Sequence, residues 1–190
     1  GLMISSGTVL LRNGTIASDN PDGQGLYIYN TADVTLENMT ITGNSGSGMV
    51  YLNGSAKLTV DPGSHIIAKG ATEYYDTPKQ AVALFDSSVI HVYGEISAKD
   101  HFAIADNGSG SPAASIYIYD GAEVTSEGVA AIYHPGGGEL KITGGTISGD
   151  TAVYTKSGTI TISGGTLIGN GAKEEYQYSG NGCMATGDAL

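Results

Sequence analysis

The chain has 190 residues, 40% of them hydrophobic, with 30 glycines, one cysteine and a formal net charge of −11. That apolar content excludes wholesale disorder, and a lone cysteine excludes an intrachain disulfide. Eight Lys and Arg in so acidic a chain argue against binding nucleic acid or an anionic membrane surface, and no apolar run approaches the ~20 residues that would insert as a spanning helix.

Along the chain one phrase recurs: an aliphatic–x–aliphatic triplet, a Gly, Asn, Asp or Pro corner, then a short run anchored on Ile, Leu or Val. It begins at Val9-Leu10-Leu11 with Ile16. It returns at Val34-Thr35-Leu36 with Ile41, at Leu58-Thr59-Val60 with Ile66 and at Ile90-His91-Val92 with Ile96. The last copies are Ile116-Tyr117-Ile118 with Val124, Leu140-Lys141-Ile142 with Ile147 and Ile160-Thr161-Ile162 with Leu167. The copies lie roughly 20–32 residues apart, inside the range of repeat architectures in which no unit buries its apolar face alone. Another strand precedes each later triplet: Leu26–Asn30, Met49–Asn53, Val82–Asp86, Phe102–Asp106, Ala130–His134 and Ala152–Lys156.

Three short strands per copy, joined by tight corners, leave no room for the long crossover of a βαβ unit. No stretch keeps a 3.6-residue period. The expectation is an all-β parallel β-helix (a solenoid) of about seven turns, forming a single domain over 1–190. Two segments break the period and read as surface loops: Ala71–Gln80 and Asn107–Pro112. Ala172–Gly182 reads as a further loop, and Cys183-Met184-Ala185-Thr186 as the opening of an eighth turn. No helical cap is visible at either end, so the chain reads as a segment of a longer protein or one whose ends a partner covers.

The phrases Gly138-Glu139-Leu140-Lys141-Ile142-Thr143-Gly144-Gly145-Thr146-Ile147-Ser148-Gly149 and Gly158-Thr159-Ile160-Thr161-Ile162-Ser163-Gly164-Gly165-Thr166-Leu167 resemble the right-handed, single-stranded parallel β-helix repeats of the pectin-lyase-like superfamily. They are most similar to the Gly/Thr/Ile-rich repeats of bacterial surface and adhesin-like proteins. The resemblance, over about Gly7 to Gly169, implies the fold and an extracellular or cell-surface location. Members of the superfamily act on polysaccharides, but the Asn-Thr-Asp, Asp-Asp, Gly-His-Gly and Arg-Ile-Lys motifs of its hydrolases do not occur here. The sole arginine, Arg12, lies in the first copy, away from where a lyase base belongs.

Within the triplets the middle residue points outward. His91 and Tyr93 then align with Tyr117 and Tyr119 on adjacent turns, with Glu95 nearby. This aromatic patch is the candidate ligand-binding site, suited to a sugar. Leu26 and Ile28 facing inward would turn Tyr27 and Tyr29 outward, below Val50, Leu52, Ala83, Phe85, Ala103, Ala105, Ala131 and Tyr133. That apolar face suits self-association or a flanking domain. The one catalysis-like array is a column of Asp86, Asp106 and His134, continued by Lys156. The residues ending the first strands, Asn30 and Asn53 among them, otherwise read as corner residues bonding their own backbone. Four scattered histidines and a lone Cys183 give no metal-ligand spacing, so no metal or cofactor is expected. The functional expectation is a non-enzymatic adhesin-like module contacting glycan or another cell-surface ligand. A polysaccharide lyase or glycoside hydrolase is the alternative, and a ligand-free structural spacer a third.

Overall fold

The computed structural model describes residues 1–20, 23–44, 48–70, 80–106, 113–172, 175–178, 182–185 and 189–190. The loop calls over residues 71–79 and 107–112 therefore lie outside the described residues. Among those described, every element is a strand and all but one pairing is parallel. The chain is a β-solenoid with three faces.

The first face stacks Leu2–Ile4, Leu26–Ile28, Val50–Leu52, Val82–Leu84, Phe102–Asp106, Ala130–His134 and Thr151–Thr155 in chain order. The second and third faces share one sheet, because the strands Thr8–Ser18 and Asp33–Gly43 each run through the corner between them. Those corners turn at Asn13 and Asn38, with φ of 54° and 51°. Asn tolerates this left-handed region because its short side chain bonds locally. The second face continues through Lys57–Val60, Val89–Val92, Ser115–Ile118, Glu139–Ile142 and Thr159–Ile162, and the third through His65–Ala68, Glu95–Ala98, Glu123–Ser126, Thr146–Gly149 and Thr166–Gly169.

Period-two alternation places the aliphatic members of each triplet in vertical columns. Val34, Leu58, Ile90, Ile116 and Leu140 form one such column and Leu36, Val60, Val92, Ile118 and Ile142 its neighbour, all fully buried. The third face contributes Ile41, Ile66, Ile96, Val124 and Ile147. Beside it runs a column of Gly43, Ala68, Ala98, Ser126 and Gly149, small residues that let the corner close. Such packing, at ~1.5–3 kcal/mol for each large apolar side chain, offsets the entropy of ordering each rung.

The stack amounts to about five turns rather than seven. The first and last copies of the phrase lie at the ends, where only one neighbouring rung covers them. Ile4, Val9, Leu11 and Ile16 at one end, and Ile160 and Leu167 at the other, are only partly buried. At the far end the described residues form no eighth turn. Gly182–Ala185 pairs antiparallel with Glu175–Tyr178 as a hairpin, and Ala189 O accepts the Val153 N–H on the last first-face strand at 3.2 Å.

The apolar first-face patch is also partly corrected. Val50 and Leu52 stand above Leu26 and Ile28, so they belong to the core, as do Ala103 and Ala131. The outward column is Met3, Tyr27, Tyr51, Ala83, Ala105, Tyr133 and Tyr154. Its middle members Ala83 and Tyr133 are buried, and Tyr133 packs with Phe102, Val129 and Ala130 in a second apolar cluster.

Position in the stack sets the expected cost of a substitution. Ile90→Ala, at a fully buried site, is expected to lower unfolding free energy by about 2–5 kcal/mol. Ile162→Ala, at a residue 40% exposed, is expected to cost clearly less. Urea denaturation of the two variants checks the ordering.

Candidate functional site

On the second face the residues between inward aliphatics point outward in three columns. The first is Thr8, Asp33, Lys57, Val89, Ser115, Glu139 and Thr159. The second is Leu10, Thr35, Thr59, His91, Tyr117, Lys141 and Thr161. The third, at the corner, includes Arg12, Glu37, Asp61, Tyr93, Tyr119, Thr143 and Ser163. Halfway along the stack these columns bring His91, Tyr93, Tyr117 and Tyr119 together.

The rings stack on one another. His91 and Tyr117 are nearly parallel, with centroids 4.9 Å apart and an interplanar angle of 11°. Tyr93 and Tyr119 lie at 4.2 Å and 6°. The rung spacing of a sheet, ~4.8 Å, is also a comfortable stacking distance. Each ring thus turns one face to its partner and its edge to solvent, where flat rings open to a sugar were expected. The ring faces left over are those at the two ends of the ladder, toward Thr59 and Asp61 on one side and toward Lys141 and Thr143 on the other.

Hydrogen bonds fix the ladder. Tyr117 donates its hydroxyl to Glu139 Oε2 at 2.8 Å, and the Tyr119 hydroxyl lies 2.9 Å from His91 Nδ1. The Glu139 carboxylate, with burial second, raises the Tyr117 pKa above its usual value. Burial, then the neighbouring Tyr93, raises that of Tyr119, so both phenols stay protonated at neutral pH. Burial lowers the His91 pKa, with Lys57 adding to the effect and Asp33 opposing it. A neutral His91 lets Nδ1 accept from Tyr119. Glu95 joins a different face: its carboxylate is 2.7 Å from His65 Nδ1 on the third face. Glu139 and Lys57, which border the ladder, were missed in the sequence, whereas Lys141 was placed in the outward column as the middle residue of its triplet. Counting two residues back from Tyr117 and Lys141 would have aligned Ser115 with Glu139.

The catalysis-like column does not assemble as expected. Asp106 aligns with Leu84, two residues before Asp86, and His134 aligns with Thr155 rather than Lys156. Asp86 sits instead at a corner, with φ of 52°, and its Oδ2 accepts the Gly54 N–H at 3.1 Å. Asp106 and His134 do meet, but inside the solenoid. They extend the inward column of Ile28, Leu52 and Leu84, and both side chains are 0% exposed. His134 Nδ1 pairs with Asp106 Oδ2. Asp106 Oδ1 accepts the Gly136 N–H at 3.2 Å, and His134 Nε2 faces Gly138 O at 3.3 Å. The pair closes the corner at Pro135–Gly138 from within, where substrate has no access. On the first face, Tyr27 stacks with Tyr29 at 5.0 Å and Tyr51 with Phe85 at 4.4 Å, forming a second outward aromatic group.

No family model matches the sequence, and no curated protein or solved structure matches it either.

Two predictions follow from these contacts. His134→Ala strands a buried carboxylate and is expected to cost about 3–5 kcal/mol in urea unfolding. Asp106→Leu combined with His134→Leu, which continues the aliphatic column, is expected to recover most of that loss. For His91 the folded pKa lies below the ordinary value, so the unfolded chain takes up the proton first. Its contribution is therefore constant above pH ~6.5, and stability falls as pH drops from there toward the lowered folded value. His91→Gln is expected to flatten that segment of the stability–pH curve.

Proposed function

We propose that the chain is a non-catalytic β-solenoid module of an extracellular or cell-surface protein of adhesin-like kind, and that it contacts glycan through the His91–Tyr93–Tyr117–Tyr119 ladder. The observation that carries this reading is the ladder itself: four half-buried rings in two stacks, set in the middle of a second face whose other outward residues are mostly polar. An end ring face gives a sugar its apolar contact. Tyr edges, Glu139 and Thr143 beside it offer partners for hydroxyls, the mixture that sugar sites combine. The chain's net charge of −11 favours neutral or cationic glycans over polyuronates.

The enzyme reading is the weaker one, since Asp106 and His134 face the interior. A structural spacer is the stronger competitor, because ring–ring stacking alone stabilises adjacent strands by about 0.2–1 kcal/mol per pair. A glycan array separates them. Binding that disappears in Tyr117→Ala/Tyr119→Ala, with the fold retained by circular dichroism, is the expected result. Absence of binding to any glycan, with only a modest stability loss in the double variant, would leave the spacer.

A further inference from the structure

Tyr93 and Tyr119 occupy the same position on adjacent rungs, since Val92 pairs with Ile118 and the Tyr119 N–H donates to Val92 O at 3.0 Å. Their rings lie 4.2 Å apart and 6° from parallel. Their hydroxyls are hydrogen-bonded neighbours, so each ortho carbon of one ring faces an ortho carbon of the other across the stack. Other described tyrosine pairs are looser. Tyr27 and Tyr29 stack at 5.0 Å and 30°, Tyr27 and Tyr51 meet edge-on at 89°, and Tyr133 and Tyr154 lie 5.6 Å apart. The Tyr119 hydroxyl also lies 2.9 Å from His91 Nδ1, within reach of proton transfer. Burial keeps that imidazole neutral and able to accept, and keeps the phenol protonated until a base takes its proton. Tyr117 has a base as well, Glu139, but its ring stacks on His91 rather than on a phenol. A phenol gives up an electron far more readily when a hydrogen-bonded base takes the proton in the same step, because the product is then a neutral radical.

We propose that Tyr93 and Tyr119 form an oxidative modification site, which a one-electron oxidant of the haem-peroxidase class, fed by hydrogen peroxide, converts into a dityrosine cross-link between two rungs. Each phenol loses one electron to the oxidant and its hydroxyl proton, that of Tyr119 to His91 Nδ1 and that of Tyr93 to solvent. The two phenoxyl radicals pair their odd electrons in one bond between facing ortho carbons. The hydrogen on each of those carbons then leaves as a proton, and each oxygen regains one, which restores both phenols. The chain loses two hydrogen atoms in all, and one hydrogen peroxide takes them up to become two waters. The bond ties adjacent rungs of the second face, so it constrains the unfolded chain as a disulfide does.

The test treats the whole chain with a haem peroxidase and hydrogen peroxide, then maps dityrosine in the monomer fraction by tryptic digestion and mass spectrometry. Cleavage after Lys99 separates the two tyrosines. The expected product joins the Tyr93 peptide to the Tyr119 peptide, lighter by two hydrogens, and the treated chain unfolds at a higher urea midpoint. Tyr119→Phe is expected to abolish it. His91→Phe keeps a ring on Tyr117 while removing the proton acceptor, and is expected to slow the cross-link about tenfold with circular dichroism unchanged. Tyr29→Phe, on the first face, is expected to leave it unchanged. Cross-links spread evenly over Tyr27–Tyr29 or Tyr133–Tyr154, or the same Tyr93–Tyr119 preference in the urea-unfolded chain, would overturn the inference. So would links between chains only, or none at all. A His91→Phe chain that cross-links at the native rate would overturn the proton route through His91.

Discussion

Parallel in-register stacking is the constraint on which this molecule depends. Each rung hydrogen-bonds the rungs above and below, so a residue's neighbours along the axis are the residues at the same position one turn away. Because side chains alternate with a period of two, a slip of one residue would exchange the whole interior with the whole surface. The interior resists this: the Val34 and Leu36 columns of the second face and the Ile41 column of the third are aliphatic on five consecutive rungs. The same register that seals the core also aligns what lies outside it. His91 meets Tyr117, and Tyr93 meets Tyr119, because their flanking aliphatics are locked. A surface ladder here is a consequence of the core, and its geometry is as fixed as the core's.

Register was legible where both faces of a strand carry a signal. The triplets of the second face have aliphatics two apart and a polar or aromatic residue between, so columns could be assigned from Val9 to Ile162. The first face carries no such signal. Its strands are short, and Ala81-Val82, Ala103-Ile104 and Ala131-Ile132 supply consecutive core residues near a corner. Aligning these strands by their final polar residue equated Asp86 with Asp106, although Asp86 belongs to the corner that also holds Asn30 and Gly54. Aligning them by Leu84, Asp106 and His134 gives the observed column, but a sequence reader has little reason to place two ionisable residues above three aliphatics. Their mutual pairing is what makes that placement tolerable. The turn count had a similar origin. Seven copies of the phrase are present, yet burial needs a rung on each side: the inward Val9 and Leu11 at one end and Ile160 at the other are only partly buried, and Ile162 is 40% exposed.

The orientation of the rings could not be read from the sequence at all. Alternation says that Tyr117 points out; it does not say whether the ring lies flat or on edge. Rung spacing decides, since two aromatic side chains held ~4.8 Å apart on neighbouring strands gain most by facing each other. Ladder formation therefore spends the inner ring faces on protein and leaves ligand only the terminal ones. A sugar-contacting ladder must then work at its ends, beside whatever smaller residues follow on the next rung. At Tyr119 the next residues in the column are Thr143 and Ser163, and the glycine corners begin immediately beyond.

Those corners link backbone conformation to surface shape. Earlier in the stack the turn between the second and third faces is made by Asn13 and Asn38, whose side chains fill the corner and bond each other at 3.4 Å. Later rungs make it with Gly121, Gly145 and Gly165 in the same left-handed region. At Gly145 and Gly165 a Cβ would run into the backbone of the neighbouring rung, so glycine is what lets these rungs close at the corner. Beside the aromatic ladder the glycine version is used on three successive rungs. A Cβ at Gly145 would come within 2.7 Å of the Ala122 carbonyl oxygen while being forced to keep φ near 83°. Backbone conformation and close rung packing thus hold the corner in glycine, directly beyond the aromatic ladder.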